Sequence, residues 1–373
     1  MQDEEGKPPG VVVLYNSTED LIKGEARDLI ADRGVIACAE AVYESLVQAG
    51  YQVVKLPFSS EVELVLAPYP ANRWIVFNLA EGLAGRLFEE SRIAWALEAM
   101  GYRFTGSDGA AIARSLHKAR AKELLLTKRV ATPAWWLFHH PDEVKAFSGE
   151  VRFPLIVKPV AEDASIGLDS GAVVHTMAGL RERVAYVVER YRQTALAEDF
   201  IVGREFNVSL WGEPPRVLPL AEIDFSDFSD PHECIVSFAA KWEEDSFEYH
   251  HTPVLCPATV DVDLKNRVKS AAKRAWDAIG CRGYARVDMR IDEQGIPYVV
   301  EINCNPDISP DAGFARATST AGYSYQDMVV RIVELARSQV YVDHRDGVAH
   351  RWPVHPADNS RGRRLQPDRI SLR

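Results

Sequence analysis

Residues 283–310 read GYARVDMRIDEQGIPYVVEINCNPDISP. Two β-rich runs, 285–291 and 297–302, flank the connection Asp292-Glu293-Gln294-Gly295, which predicts an antiparallel hairpin. Side chains two apart on a strand share a face. Arg286 and Asp288 therefore sit together, as do Glu301 and Asn303. Pairing the runs gathers three oxygen donors, Asp288, Glu301 and Asn303, beside one guanidinium. Such donors suit Mg²⁺, which keeps waters and completes its shell with substrate phosphates. An ordinary hairpin with a polar face is the other reading. Against it stands VVEIN, where polar groups end an apolar strand and cost free energy unless paired or bound.

Further motifs precede this hairpin in a fixed order: FNLAEG at 77–82, YRFTGSD at 102–108, HKARAKELL at 117–125, FPLIVKP at 153–159, EDASIG at 162–167 and GREFNVSL at 203–210. Together with RVD and EINCNP they resemble the ATP-grasp superfamily, in its D-alanine–D-alanine ligase-like branch, over about residues 70–338. The resemblance implies an α/β protein of ATP-grasp fold, with an N-terminal parallel-sheet domain and two α+β domains sandwiching ATP. It also implies a ligase that forms an amide or peptide bond through an acyl phosphate, releasing ADP and phosphate. ATP and Mg (or Mn), as two ions, would be the cofactors, held at Asp288, Glu301 and Asn303.

The same resemblance assigns roles residue by residue. Lys118 and Lys158 would reach the nucleotide phosphates. For Lys158, which emerges from an apolar strand, a partner is expected on burial alone; Lys118, near Lys122, Arg114 and Arg120, equally fits a solvated helix face. The loop 162–167, with Glu162 and Ser165, has small residues whose N–H groups can approach phosphate, or it is a surface turn. Residues 198–201 would line the adenine: Glu198, the backbone of Asp199 and Ile201, and Phe200, with Val300 on the other face. Glu205 would take the ribose hydroxyls, or stand in solvent. Arg286, Lys241 and Ser165 would form the catalytic set, Arg286 stabilising developing negative charge. Lys241 lies in SFAAKW, similar to a loop that closes over ATP, so residues 239–249 are expected to be a mobile lid.

The amino-acid side departs from the family. LYNS at 14–17 replaces the family's His-Gly-Gly segment, Glu81 stands where those ligases usually carry His, and the turn after the metal residues holds Asp307 and Asp311. Trp242 replaces the Tyr usual beside the lid lysine. Glu81, Trp242, Asp307 and Asp311 are therefore the candidate substrate residues, for amino-acid or amine substrates other than two D-alanines. True D-alanine–D-alanine ligation, and a non-catalytic ATP-binding module of the same fold, are the alternatives.

Composition narrows the field. The chain has 373 residues, 47% of them hydrophobic, and a net charge of −11. An acidic chain without a basic stripe excludes nucleic acid as the main partner. Five scattered cysteines without a CxxC suit a reducing compartment. No apolar run approaches the ~18 residues of a membrane span, and MQDEEGKPPG is no signal peptide. A cytoplasmic protein is expected, and a homodimer stays open. The strand–helix alternation and the motif positions predict units at 1–106, 107–194 and 195–340. Residues 341–373, with seven Arg, four Asp and three Pro, read as a disordered tail.

Overall fold

The computed structural model describes residues 9–16, 25, 29–59, 61–80, 88–147 and 149–338. Glu81 and the tail 341–373 lie outside the described residues. Val11, Val12, Val13 and Leu14 are fully buried, as expected of a parallel strand covered on both faces. This strand, β1 (Gly10–Asn16), runs between β2 (Val53–Phe58) and β3 (Trp74–Asn78), and β4 (Arg103–Phe104) joins β3, all in parallel. Alternate side chains feed two cores. Val12 and Leu14 meet Ile93, Ala94 and Leu97 of the helix Glu89–Ala99. Val11 and Val13 meet Val35, Cys38, Ala39, Val42 and Leu46, one face of the helix Leu29–Gln48.

A second, antiparallel sheet contains β5 (Trp135–Phe138), β6 (Leu155–Pro159), β7 (Val173–Val174) and β8 (Ala195–Asp199), in the order β5-β8-β6-β7. The helix Met177–Tyr191 covers it through Leu180, Val184 and Val187. The third sheet comprises β9 (Arg204–Trp211), β10 (Arg216–Val217), β11 (Ala221–Ile223), β12 (Val254–Leu255), β13 (Tyr284–Ile291) and β14 (Pro297–Asn303). Its order is β12-β11-β9-β13-β14, with β10 beside β9. The helix Val262–Ile279 lies over it, opened by the Asp261 cap on Leu264 N and closed at Gly280, where φ is +80°.

Two placements differ from the sequence reading. The strand Ala195–Asp199, assigned there to the third unit, pairs with β5 and β6 in the central sheet. The chain crosses to the third sheet only after Asp199. The helix Tyr325–Arg337, opened by a capping box between Ser324 and Asp327, returns to the first sheet: Met328, Val329, Ile332 and Val333 join the core of Val11 and Val13. Sequence order alone hides such a return, because an amphipathic helix does not declare its partner. Among the described residues, no helix is long and apolar enough to cross a membrane.

Candidate active site

The hairpin forms as its sequence requires. Asp292 Oδ1 accepts from Gln294 N and Ile296 N, and Gly295 takes φ +72°. Asp288 then stands opposite Glu301, and Arg286 opposite Asn303, with a register shift just beyond Asp288. On its other edge β13 pairs with β9, setting Asp288 opposite Asn207 and Arg290 opposite Glu205. This hairpin end walls a cavity of ≈ 850 Å³ whose lining comes from strands of the second and third sheets and, from the first lobe, from the helices Leu29–Gln48 and Glu89–Ala99.

Charge is arranged in linked clusters. Arg286 grips both oxygens of Asp288, Nε to Oδ1 at 2.8 Å and Nη2 to Oδ2 at 2.9 Å, and Asn207 Nδ2 donates to Oδ1 at 2.8 Å. Burial opposes the Arg286 charge, but the Asp288 carboxylate more than compensates and holds it protonated. Lys118 opens the helix Lys118–Thr127 and is 5% exposed, which removes the solvated-face reading. Its Nζ donates to Glu162 O at 2.5 Å, to Asp163 Oδ1 at 3.3 Å and to Glu301 Oε1. Burial alone would raise the Glu301 pKa; Lys118 and then Lys158 overcome it and hold the carboxyl well below the usual range. Asp163 moves the other way, raised by burial and by the Glu301 charge.

Beneath these lies a buried triad. Glu198 Oε1 faces Lys158 Nζ at 2.7 Å and Oε2 faces Lys122 Nζ at 2.6 Å. Lys122 also donates to Thr132 Oγ1 at 2.8 Å, and Thr132 to Val299 O. Glu198 and Lys122 are each 1% exposed. Burial pushes the Lys122 pKa down to about 8 despite Glu198. The Glu198 carboxyl stays below its ordinary range because both lysines outweigh desolvation. Glu198 thus lines the cavity while its carboxylate is spent on lysines.

The other residues expected to hold the nucleotide are also gathered. Asp199, Phe200, Ile201, Glu205 and Val300 all line the cavity. Ile201 O accepts from Arg290 Nε at 3.0 Å, and Glu205 Oε2 accepts from Arg290 Nη1 at 2.8 Å, so Glu205 is partnered rather than solvated. Phe200 packs under the same guanidinium, 5.0 Å from its ring centroid. In the loop 162–167, Ala164 and Ser165 hold φ 55° and 62°, a conformation non-glycine residues adopt only at a cost that clusters at functional sites. A Cβ on Gly167 would lie 2.7 Å from Pro159 Cγ. Arg183 fixes the loop's end, donating to Gly167 O at 2.7 Å and Asp169 Oδ1 at 2.8 Å.

The expected lid contains two short helices, Phe238–Trp242, capped by Ser237, and Phe247–His250. It lies against the loop 162–167: Ser165 Oγ donates to Val236 O at 2.8 Å, and Trp242 Nε1 to Ala164 O at 3.0 Å. Lys241 lines the cavity, its pKa lowered by burial and then by Arg286. Asp307 and Asp311 also line the cavity; Asp307 Oδ1 accepts from Ser309 N and Oγ, and Asp311 O from Arg316.

Sequence reasoning missed Lys122, Asn207, Arg290 and Arg183. Three of these carried a signal. Lys122 is four residues from Lys118, on one helix face. Arg290 continues the alternation Arg286, Asp288, and Asn207 is two residues from Glu205. Among the described residues, no three His, Cys, Asp or Glu gather as a metal cluster. The expected donors are two carboxylates and an amide, all oxygen, on facing strand positions. They fit a hard cation in kind.

A parallel-sheet lobe and two antiparallel lobes enclosing a lysine- and carboxylate-lined cleft define an ATP-grasp protein. Comparisons agree. The D-ala D-ala ligase C-terminus family matches residues 129–334. A protein of Sinorhizobium fredii named "Uncharacterized protein y4sG" is 32% identical over 315 residues, 84% of this chain and 88% of the relative. A D-alanine--D-alanine ligase of Cupriavidus necator is 30% identical over 256 residues, 68% of this chain and 74% of the relative. In fold, the chain matches the D-alanine--D-alanine ligase of Bacillus anthracis complexed with ATP at TM-score 0.67 and 20% identity, covering 88% of this chain and 97% of that one. VanG D-Ala:D-Ser ligase of Enterococcus faecalis matches at TM-score 0.66 and 19% identity, over 88% and 100%. The chain belongs to the D-alanine–D-alanine ligase family and is a carbon–nitrogen ligase of the ATP-grasp class.

Proposed function

We propose that this protein joins an amino-acid carboxylate to an amine, using ATP and Mg²⁺, on substrates other than two D-alanines. The observation that carries the reading is the shared cavity wall of Lys158, Lys241, Arg286, Asp288 and Glu301. Oxide is too poor a leaving group for direct amide formation. The carboxylate oxygen therefore attacks the γ-phosphorus and ADP leaves; the amine then attacks the acyl carbon and phosphate leaves.

Each step places a demand that a named residue meets. Lys158, Lys118 and Lys241 neutralise phosphate charge, in a catalysis that is mostly positioning and electrostatics. Arg286 stabilises the oxyanion of the tetrahedral intermediate. Ser165 and the loop N–H groups hold the transferring phosphate. Phe200, Val300 and the backbone near Asp199 and Ile201 take the adenine, with Glu205 on the ribose. Asp288, Glu301 and Asn303 would hold Mg²⁺, which supplies charge neutralisation at the β- and γ-phosphates.

The substrate reading rests on Asp307 and Asp311, which also line the cavity; carboxylates favour an amine-bearing group over a second carboxylate. The names of the relatives support D-alanine ligation as the rival. Incubation with D-alanine, ATP and Mg²⁺, with the dipeptide sought by mass, separates the two. The proposal expects little dipeptide, and phosphate release only with another substrate pair from an amino-acid and amine panel. Dipeptide at an ordinary enzymatic rate would overturn the substrate part.

A further inference from the structure

One pair of buried side chains beside the hairpin takes no part in the reaction above. Cys281 Sγ and Cys304 Sγ lie 3.3 Å apart. Both residues are free of disulfides, and they are 7% and 2% exposed. Cys281 follows Gly280, the cap of the helix Val262–Ile279, and its N–H donates to Trp276 O at 3.1 Å, which ties its backbone to the helix end. Cys304 directly follows Asn303, the last residue of β14. Beyond it, Asn305 N donates to Asn303 Oδ1 at 2.9 Å, and Asn305 Oδ1 accepts from Tyr284 OH at 2.9 Å. The two sulfurs therefore flank the stretch of chain that carries Arg286, Asp288, Glu301 and Asn303. Buried cysteines often serve as small apolar side chains, and both belong to the core cluster of Val287 and Ile302. Packing alone is indifferent to where the sulfurs point; here they point at each other.

We propose that Cys281 and Cys304 form a redox modification site, at which a peroxide joins them in a disulfide that closes residues 281–304 into a covalent ring and displaces Asn303. The effect on turnover rests on the ligase reading; the bond itself does not. One sulfur attacks a peroxide oxygen, the O–O bond breaks, and a sulfenic acid and one water result. The second sulfur then attacks the sulfenic sulfur, the S–S bond forms, and a second water leaves with the remaining thiol proton. Each sulfur gives up one electron, and the peroxide takes both. A disulfide bond is about 2.05 Å long, so the sulfurs must close by roughly 1.2 Å. Cys281 is tied to the helix end, so the movement falls on Cys304 and on its neighbour Asn303.

The test uses the full chain, reduced, freed of reductant and treated with hydrogen peroxide. Mass analysis should show the loss of two hydrogens, with the peptides of Cys281 and Cys304 joined. Turnover should fall at least about tenfold, since misplacing a site group by about 1 Å can cost about 100-fold, and a dithiol reductant should restore it. Cys281→Ala and Cys304→Ala should each form no such bridge and keep their own untreated turnover after peroxide. No bridge in the parent, a bridge through Cys38, Cys234 or Cys256 instead, or sulfinic acid at Cys281 or Cys304 without a bridge would overturn the site. A 281–304 bridge with unchanged turnover would overturn the displacement of Asn303. If no substrate pair supports turnover in the reduced protein, the ligase reading fails while the peptide masses still decide the bond.

Discussion

Lys118, at the start of a helix, donates to Glu301 at the end of β14, 183 residues further along the chain. The same ammonium holds Glu162 O and Asp163, so one buried cation ties the loop 162–167 to the hairpin. Removing it strands two carboxylates. Lys118→Met should lose about 3 kcal/mol, the low end for breaking a buried pair because Glu301 and Asp163 keep some solvent access. Urea unfolding of the two proteins measures this.

Acid should act through Glu198. Its folded pKa lies below the ordinary value of 4.5, so the unfolded chain binds the extra proton first. The contribution of Glu198 to stability is therefore full above pH 4.5 and is lost as pH falls through the folded pKa. Glu198→Gln should unfold more easily at pH 7, by about 3–5 kcal/mol, since two lysines lose their counter-charge. It should also show a shallower further loss between pH 5 and pH 3, read from denaturation midpoints at each pH.

The hairpin carboxylates give a sharper kinetic prediction. Asp288→Asn and Glu301→Gln should each lower substrate-dependent phosphate release by at least about 100-fold, beyond the ~10–100-fold typical of outer-sphere changes around a metal. Chelation should abolish turnover in the parent, and added Mg²⁺ should restore it. Turnover that survives chelation would remove the metal from the account.

Lys241 should separate binding from chemistry. Lys241→Ala is expected to lower kcat by at least about 100-fold while the Kd for ATP, from calorimetry, changes far less. The proposed contact is with the transferring phosphate, so the loss would belong to the transition state. A parallel fall in affinity would place Lys241 in nucleotide binding instead.

Much of the site was legible because it is local. Arg286, Asp288, Glu301 and Asn303 sit on two strands joined by a turn that Asp292 and Gly295 specify, so alternation alone brings them together. Lys158 could be read as buried because an apolar strand leads into it. The partners were not legible, because they come from distant segments: Lys122 on Glu198, Arg290 on Glu205, Arg183 on Gly167. Glu205 shows the consequence. As a glutamate before an alternating strand it suited solvent equally well, and only the β13–β9 register sets Arg290 against it. The return of the helix Tyr325–Arg337 to the first sheet was hidden for the same reason.

The most direct test follows one oxygen atom. With the substrate pair identified by the panel, the carboxylate is labelled with heavy oxygen and the products of a single turnover are analysed by mass. An acyl-phosphate route transfers one labelled oxygen to inorganic phosphate and yields ADP in step with the amide. Label found in AMP, or phosphate released without label, would contradict the account.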